Sequence, residues 1–256
     1  MYEKGLKRTA LTARRMILHR MVDPRAFWNK KILRWEAGRY DWRGQNRNSI
    51  LERIADRSSI SLRHRQRLGV ELISENIAGR HIVELGCGSG LLAMPLLEAG
   101  AATYHGMDIS NVAIEAALAR SAGYDQQERI SFEIAQVSAL PKLHPGAVII
   151  SLGLLDWLND DELANLVTQQ GNRDYLHSIS ESRASLSQLL HRTYVQIAYG
   201  YRTGRYVPRY FKTEDIAGLF TQQNKRPAYV YRDAALSFGA LVSSFPVGSL
   251  VDTSVG

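Results

Sequence analysis

The chain has 256 residues, of which 45% are hydrophobic and 22% are charged, and its formal net charge is +7 with neutral histidines. This is ordinary globular usage for one or two domains, so a long disordered chain and a collagen-like polymer are both excluded. The single cysteine, Cys87, cannot form an internal disulfide, and we recognise neither a signal peptide nor an apolar run long enough to span a bilayer. We therefore expect a reducing, cytoplasmic location.

The positive charge is concentrated at the N-terminus. Residues 1–47 contain thirteen Lys and Arg against four acidic residues, a net +9, whereas the other 209 residues hold 19 basic and 21 acidic residues, a net −2. Apolar residues recur at helical spacing between Leu6 and Met21, which predicts a basic helical extension over residues 1–60. We favour a solvated helix docked on the main domain. The alternatives are peripheral membrane contact or nucleic-acid binding through residues 1–26, or a transit peptide.

Strands and helices alternate from residue 62 onward. The pattern predicts a helix over 62–77, a strand over 81–85, a helix over 91–99, a strand over 103–107 and a helix over 112–122. Further strands are predicted over 130–134, 147–152 and 174–179, with a helix over 160–169 and two terminal strands over 229–232 and 236–243. This order predicts an α/β domain over residues 61–256, doubly wound around a mostly parallel sheet.

A glycine-rich turn between the first predicted strand and the next helix carries the chemistry. Gly86, Gly88 and Gly90 read G-x-G-x-G, which differs from the G-x-G-x-x-G of dinucleotide-binding folds. Glu84 stands two positions before the first glycine, and Asp108 ends the second predicted strand. In this order the segment resembles the signature of class I S-adenosylmethionine-dependent methyltransferases. The resemblance implies a seven-stranded Rossmann-like methyltransferase fold and S-adenosylmethionine as the cofactor.

The resemblance also implies a set of cofactor-binding residues. Asp108 corresponds to the ribose-binding acid of the family, and Gln136 stands where an acid commonly meets the adenine amino group. The full implied set is Glu84, Gly86, Cys87, Gly88, Gly90, Asp108, Ile109, Gln136, Val137, Ser151 and Gly153. The segment from Trp35 to Tyr40 is similar to the N-terminal helices that cap the cofactor in such enzymes.

The acceptor should bind beyond the carboxyl ends of the strands, as ligands do in open α/β sheets. Many small-molecule members of the family have a histidine near positions 155 and 156, where this chain has Leu155 and Asp156. Candidates for removing a proton from the acceptor are therefore His177 first and Asp156 second. A hydrogen-bonded structural role is the alternative for the histidine, and helix capping or contact with the methionine moiety is the alternative for Asp156.

An Arg/Tyr-rich arm follows the fifth predicted strand. Residues 182–213 contain six Arg and Lys and no acidic residue. As substrate-binding candidates we take Arg205, Arg209 and Tyr206 on the arm, together with Glu181 just before it. Guanidinium groups could hold a carboxylate or phosphate there while tyrosines line the pocket. The alternative is a solvated helix followed by a turn.

The sequence as a whole predicts a methyltransferase that acts on a small-molecule or carbohydrate- or lipid-linked acceptor, which could be anionic. One alternative is an RNA or protein methyltransferase anchored by the basic N-terminus, although no nucleic-acid-binding motif is recognisable. Another is a non-catalytic scaffold that binds the cofactor without turnover. No Cys/His cluster has the spacing of metal ligands, so we expect no metal site. The oligomeric state, the acceptor and its methylated atom stay open.

Overall fold

The computed structural model describes residues 22–40, 63–195, 206–236 and 238–250. Predictions that concern residues 1–21, residues 41–62 or Arg205 lie outside these described residues. The described part forms one sheet with helices packed on both faces. None of its helices is both long enough and apolar enough to cross a membrane.

The secondary structure follows the alternating order expected from the sequence. The helices are α1 (Pro24–Tyr40), α2 (63–73), α3 (Ala93–Glu98), α4 (Asn111–Ser121), α5 (Asp160–Gln170), α6 (Leu186–Val195) and α7 (Thr213–Asn224). The strands are β1 (His81–Leu85), β2 (Thr103–Asp108), β3 (Ile130–Ile134), β4 (Val148–Leu152), β5 (Tyr175–Ser180), β6 (Tyr229–Tyr231), β7 (Gly239–Ser243) and β8 (Ser249–Leu250).

The sheet has the order β3-β2-β1-β4-β5-β7-β6-β8. Strands β1 to β5 pair in parallel, and β7 runs antiparallel between β5 and β6. The predicted seven-stranded, Rossmann-like methyltransferase fold is confirmed, and the two-residue strand β8 extends its edge. The strand order reverses between β1 and β4, so a crevice for a ligand is expected at the carboxyl ends of these two strands.

The central strands are buried on both faces, which explains their continuous apolar sequences. Successive side chains alternate between two cores: Val83 and Ile149 belong to one cluster, whereas Ile82 and Ile150 belong to the other. Since both cores run the length of the parallel strands, β1 and β4 are held firmly, and the loops at their carboxyl ends start from fixed positions.

Element boundaries differ from the prediction by a few residues where local geometry intervenes. Helix α5 begins at the predicted residue because Asn159 and Glu162 form a reciprocal capping box with their backbone amides. Strand β7 begins at Gly239, three residues later than predicted, because Ala234–Leu236 forms a 3-10 turn.

The core on the α7 side of the sheet generates a stability prediction. Phe220 is fully buried and stacks on Tyr175, with 4.5 Å between ring centroids, whereas its neighbour Leu219 is 43% exposed. We expect Phe220→Ala to lower the free energy of unfolding by about 3–5 kcal/mol. The matched control Leu219→Ala should change it by no more than about 0.5 kcal/mol. Urea unfolding followed by circular dichroism measures both, and equal losses would contradict this packing.

Candidate active site

The turn after β1 requires glycine at alternate positions. Gly86, Gly88 and Gly90 all have positive φ, at +72°, +53° and +70°, a region that side chains with a Cβ rarely adopt. A Cβ at Gly90 would also lie 2.7 Å from the ring of Phe132. The pattern read in the sequence therefore reflects both the backbone conformation of the turn and its close packing on β3.

Asp108, at the end of β2, fixes the glycine turn from one side. Its carboxylate accepts hydrogen bonds from the backbone N–H of Gly88 at 2.9 Å and from that of Ser110 at 2.8 Å. Burial raises the pKa of Asp108, and these two hydrogen bonds partly offset that effect. The side chain also lines the pocket that opens beyond β1 and β4.

Glu84 lies in the same pocket, one residue before the end of β1. Burial raises the pKa of its carboxyl group to about 8, and the charges of Asp108 and Glu36 act in the same direction. The hydroxyl of Tyr104 donates a hydrogen bond to Glu84, which opposes the shift but does not cancel it. Near neutral pH this carboxyl group is therefore largely protonated unless a positive charge enters the pocket.

A third carboxylate reaches the glycine turn from helix α1. Glu36 accepts a hydrogen bond from the backbone N–H of Ser89 at 3.0 Å, and a Cβ on Gly88 would lie 2.3 Å from its Oε1 atom. Helix α1 is itself tied to α4, because the amide of Asn29 donates to the side-chain oxygen of Asn111 at 2.6 Å. No pattern in the sequence indicated Glu36, since helical periodicity does not reveal which tertiary neighbour a side chain meets.

The charged side chains that line the described pocket are all acidic. Its walls, as far as the described residues form them, include the carboxyl groups of Glu36, Glu84, Asp108 and Glu162 but no lysine, arginine or histidine. Closely spaced carboxyl groups repel one another and attract a cation. The pocket is therefore suited to a positively charged ligand.

Aromatic rings from three segments form one wall of the pocket. Trp28 lies on α1, Trp157 follows β4, and Tyr206 lies on the arm. The ring centroids of Trp28 and Trp157 are 4.9 Å apart, those of Trp157 and Tyr206 are 5.1 Å apart, and the indole N–H of Trp28 donates to the Tyr206 hydroxyl at 3.2 Å. Such a wall excludes water and presents ring faces that can attract a cation. No pattern in the sequence indicated Trp28 or Trp157 as pocket residues.

Most of the predicted cofactor residues meet at this pocket. Those that line it are Glu84, Gly86, Cys87, Gly88, Asp108, Ile109, Gln136, Val137 and Gly153. Gly90 and Ser151 do not: Gly90 packs on Phe132, and Ser151 is fully buried within the sheet. Helix α1 covers the pocket as the resemblance implied, but through Trp28, Ile32 and Glu36, and the side chains of Trp35 and Tyr40 lie outside the described residues.

The structure corrects the expectation for His177. The ring is fully buried on β5, where its Nδ1 atom pairs with the Ser151 hydroxyl at 2.8 Å and its Nε2 atom with the Gln170 side-chain oxygen at 2.6 Å. It also stacks on Phe220. Burial lowers the pKa of His177 to about 3, so the ring is neutral and serves as a structural partner of the sheet. It does not line the pocket.

Asp156 is also a structural residue. It is buried, and its two carboxylate oxygens accept hydrogen bonds from the backbone N–H and the hydroxyl of Ser180, both at 2.7 Å. Burial raises the pKa of Asp156 to about 6, although the Ser180 hydrogen bonds oppose the shift. The side chain joins the turn after β4 to the end of β5 and does not line the pocket, which corrects its assignment as a proton acceptor.

Of the substrate-binding candidates, two are held by other protein groups and one lines the pocket. The guanidinium of Arg209 donates hydrogen bonds to the carbonyl of Leu158 and the carboxylate of Asp160, at 2.7 and 2.6 Å. It therefore anchors the arm and is not directed at a ligand. Glu181 is paired with Arg183 and Arg232. Burial alone would raise the pKa of Glu181, but hydrogen bonds from these arginines and from a threonine hydroxyl lower it to about 2. Tyr206 alone of the described substrate candidates lines the pocket.

The chain matches one family model in sequence and resembles several solved structures. Residues 82–170 match the model of a methyltransferase domain family. A magnesium protoporphyrin IX methyltransferase from Synechocystis, solved with bound SAH, is similar over 86% of this chain and 96% of that one, with a TM-score of 0.63 and 17% identity. An O-methyltransferase family protein from Burkholderia thailandensis is similar over 84% of this chain and 66% of that one, with a TM-score of 0.55 and 15% identity.

A third structure extends the comparison. A SAM-dependent methyltransferase from Methanosarcina mazei is similar over 67% of this chain and 94% of that one, with a TM-score of 0.54 and 14% identity. At these identities the structural likeness establishes the fold alone, and the family model covers about a third of the chain. No curated protein matches the chain in sequence.

The buried histidine generates a prediction about acid stability. In the unfolded chain His177 takes up a proton below about pH 6.5, whereas in the folded protein it resists protonation down to about pH 3. The unfolded state therefore binds one more proton between these values, and the free energy of unfolding falls as the pH is lowered through this window. His177→Gln should remove about 1.4 kcal/mol per pH unit from that slope. Urea unfolding at pH 4.5, 5.5 and 6.5 measures it, and identical slopes in parent and variant would contradict the assignment.

Proposed function

We propose that this chain is a class I S-adenosylmethionine-dependent methyltransferase whose acceptor is an anionic small molecule or an anionic carbohydrate- or lipid-linked group. The proposal rests chiefly on one observation: each carboxyl group of the described pocket walls already takes part in a hydrogen bond within the protein. An acceptor whose reacting atom is already ionised does not need any of these groups to remove a proton.

The residues of the pocket fit S-adenosylmethionine, which carries a sulfonium, an ammonium and a ribose diol. Asp108, at the end of β2, would hold ribose hydroxyls, and the turn at Gly86 and Gly88 leaves room for backbone to approach the methionine part. Glu84 and Glu36 supply negative charge next to the cationic groups. Bound S-adenosylmethionine supplies a methyl group that its sulfonium activates for transfer.

The chain's own residues would orient the reaction and keep water out. The rings of Trp28 and Trp157 pack against each other on the pocket wall. The ring of Tyr206, on the arm, packs against Trp157. Exclusion of water strengthens the electrostatic interactions of the carboxyl groups, and a fixed wall aligns the reacting groups for in-line displacement. A pocket covered in this way favours a small acceptor, or a small group that protrudes from a larger molecule.

Proton removal within the described pocket would fall to carboxyl groups that already take part in hydrogen bonds. Glu36 is bonded to the Ser89 amide, and Asp108 uses both of its oxygens on backbone amides. Glu84 is bonded to Tyr104, and Glu162 accepts from the amide of Asn159 in a capping box. An ionised acceptor removes the need for a general base, and the net +9 of residues 1–47 would favour such an acceptor electrostatically.

The raised pKa of Glu84 predicts pH-dependent cofactor binding. A cation favours the ionised carboxylate, so binding of S-adenosylmethionine should release the proton that Glu84 holds below pH 8. We expect the dissociation constant to fall by up to about tenfold per pH unit between pH 6.0 and 7.5, below the range in which an α-amino group loses its own proton.

Calorimetry in two buffers of different ionisation enthalpy measures both the affinity and the proton release. The control is Glu84→Gln, which cannot ionise and should bind the cofactor with little pH dependence and little proton release. If parent and variant release the same number of protons, the proton does not come from Glu84 and the electrostatic account of this carboxyl group is overturned.

The acceptor proposal is tested by following the methyl group. The full chain is incubated with methyl-labelled S-adenosylmethionine and a cell extract separated into small acids, glycolipids, RNA and protein. We expect label in the small-acid or glycolipid fraction. Asp108→Asn should lower cofactor affinity by about tenfold to a hundredfold, since a hydrogen-bonded charge is lost. Label confined to RNA or protein, and abolished by high salt or by deletion of residues 1–26, would instead support a macromolecular acceptor.

A further inference from the structure

A buried arginine contacts two residues that line the pocket but does not line the pocket itself. Arg65 lies on α2 and is 7% exposed. One of its Nη groups donates a hydrogen bond to the carbonyl of Leu152 at 3.1 Å. The guanidinium occupies the space that a side chain would take at Gly153, because a Cβ there would lie 2.7 Å from Nη2. Both Leu152 and Gly153 line the pocket at the carboxyl end of β4.

Arg65 forms no ion pair within the part of the chain that the structure describes. No carboxylate of those residues lies within 4.0 Å of it, and its buried Nε–H has no hydrogen-bond partner there. The carboxylate of Asp156 senses this charge, but both of its oxygens are taken by Ser180. An uncompensated buried charge destabilises a fold and is normally matched by a counter-ion.

The position of the arginine indicates where that counter-ion comes from. Acceptors in open α/β folds bind beyond the carboxyl ends of the strands, and Arg65 lies at that end of β4. The described pocket walls themselves are acidic, so an anion would not be held by them. The guanidinium is thus the nearby group that can attract the negative part of an acceptor while the carboxyl groups hold the cationic cofactor.

We propose that Arg65, seated on Gly153, binds a carboxylate group of the methyl acceptor. The inference rests on the proposed function and narrows its anionic acceptor to a carboxylic acid. A guanidinium presents parallel N–H donors that match the two oxygens of a carboxylate. The small exposed fraction of Arg65 favours this flat group over a bulkier phosphate. Gly153 is then required because any side chain would displace the guanidinium.

The first test is binding of simple anions to the full chain in the presence of S-adenosylhomocysteine. The probes are sodium acetate, sodium benzoate and inorganic phosphate at constant ionic strength, followed by calorimetry. We expect saturable carboxylate binding by the parent and at least a tenfold loss in Arg65→Met, with S-adenosylhomocysteine affinity unchanged within twofold. Arg67→Met is the matched control, because Arg67 lies on the same helix, is exposed and hydrogen-bonds to His64; it should bind the probes as the parent does.

Three results overturn the proposal: no saturable carboxylate binding by the parent, equal binding by Arg65→Met, or tighter binding of phosphate than of either carboxylate. Arg65→Lys keeps the charge but not the paired donors, and it should bind carboxylates more weakly than the parent and more tightly than Arg65→Met. If Arg65→Met fails to fold, the comparison of Arg65→Lys with the parent still tests the proposal.

Thermal unfolding separates a ligand-binding arginine from a structural one. Without ligand, Arg65→Met should melt at or above the temperature of the parent, because an unpaired buried charge has been removed. A markedly lower melting temperature in both Arg65→Met and Arg65→Lys would assign Arg65 to the fold and overturn the proposal.

The two proposals fail in different ways. If acidic acceptors are methylated and Arg65→Met leaves their KM unchanged, the inference about Arg65 is wrong and the proposed function stands. If carboxylate binding depends on Arg65 but no acidic compound is ever methylated, the carboxylate site stands and the proposed acceptor class is wrong.

Discussion

The site depends on hydrogen bonds between the backbone of the glycine turn and two buried carboxylates. The N–H of Gly88 donates to Asp108 on β2, and the N–H of Ser89 donates to Glu36 on α1. The N–H groups of Gly86, Cys87 and Gly90 donate to backbone carbonyls, and the two carboxylates satisfy the N–H groups that lie between them in the turn. Because one carboxylate comes from the sheet and the other from α1, the same interactions also fasten the cover of the pocket to its floor.

These hydrogen bonds bring negative charges together. Burial raises the pKa of both Glu84 and Asp108, and Glu36 adds to the effect on each of them. A cluster of this kind is costly in the absence of a cation and favourable in its presence. The pocket therefore holds electrostatic strain that a sulfonium and an ammonium relieve, and selectivity for a cationic cofactor follows from the same residues that shape the turn.

Much of this arrangement could be predicted from the sequence because its signals are local. Apolar strands, turn glycines and an acid at the end of β2 are adjacent in the chain, and they specified the parallel sheet and most residues of the pocket. Glu36, Trp28 and Arg65 could not be found in this way, because their helices carry no pattern that reveals which part of the sheet they cover. The direction of a helical side chain toward a ligand is decided by tertiary docking.

His177 and Asp156 were wrongly assigned as proton acceptors for the same reason, and their actual contacts bear on how the acceptor reacts. A polar residue near a strand end can face the pocket or the neighbouring strand, and the pairing of β4 with β5 turns His177 toward Ser151. Asp156 is likewise used to hold Ser180. The polar groups that would have served as bases therefore build the interior of the sheet. This arrangement supports the proposed acceptor that is already ionised, and Arg65 provides a positive charge beside the pocket.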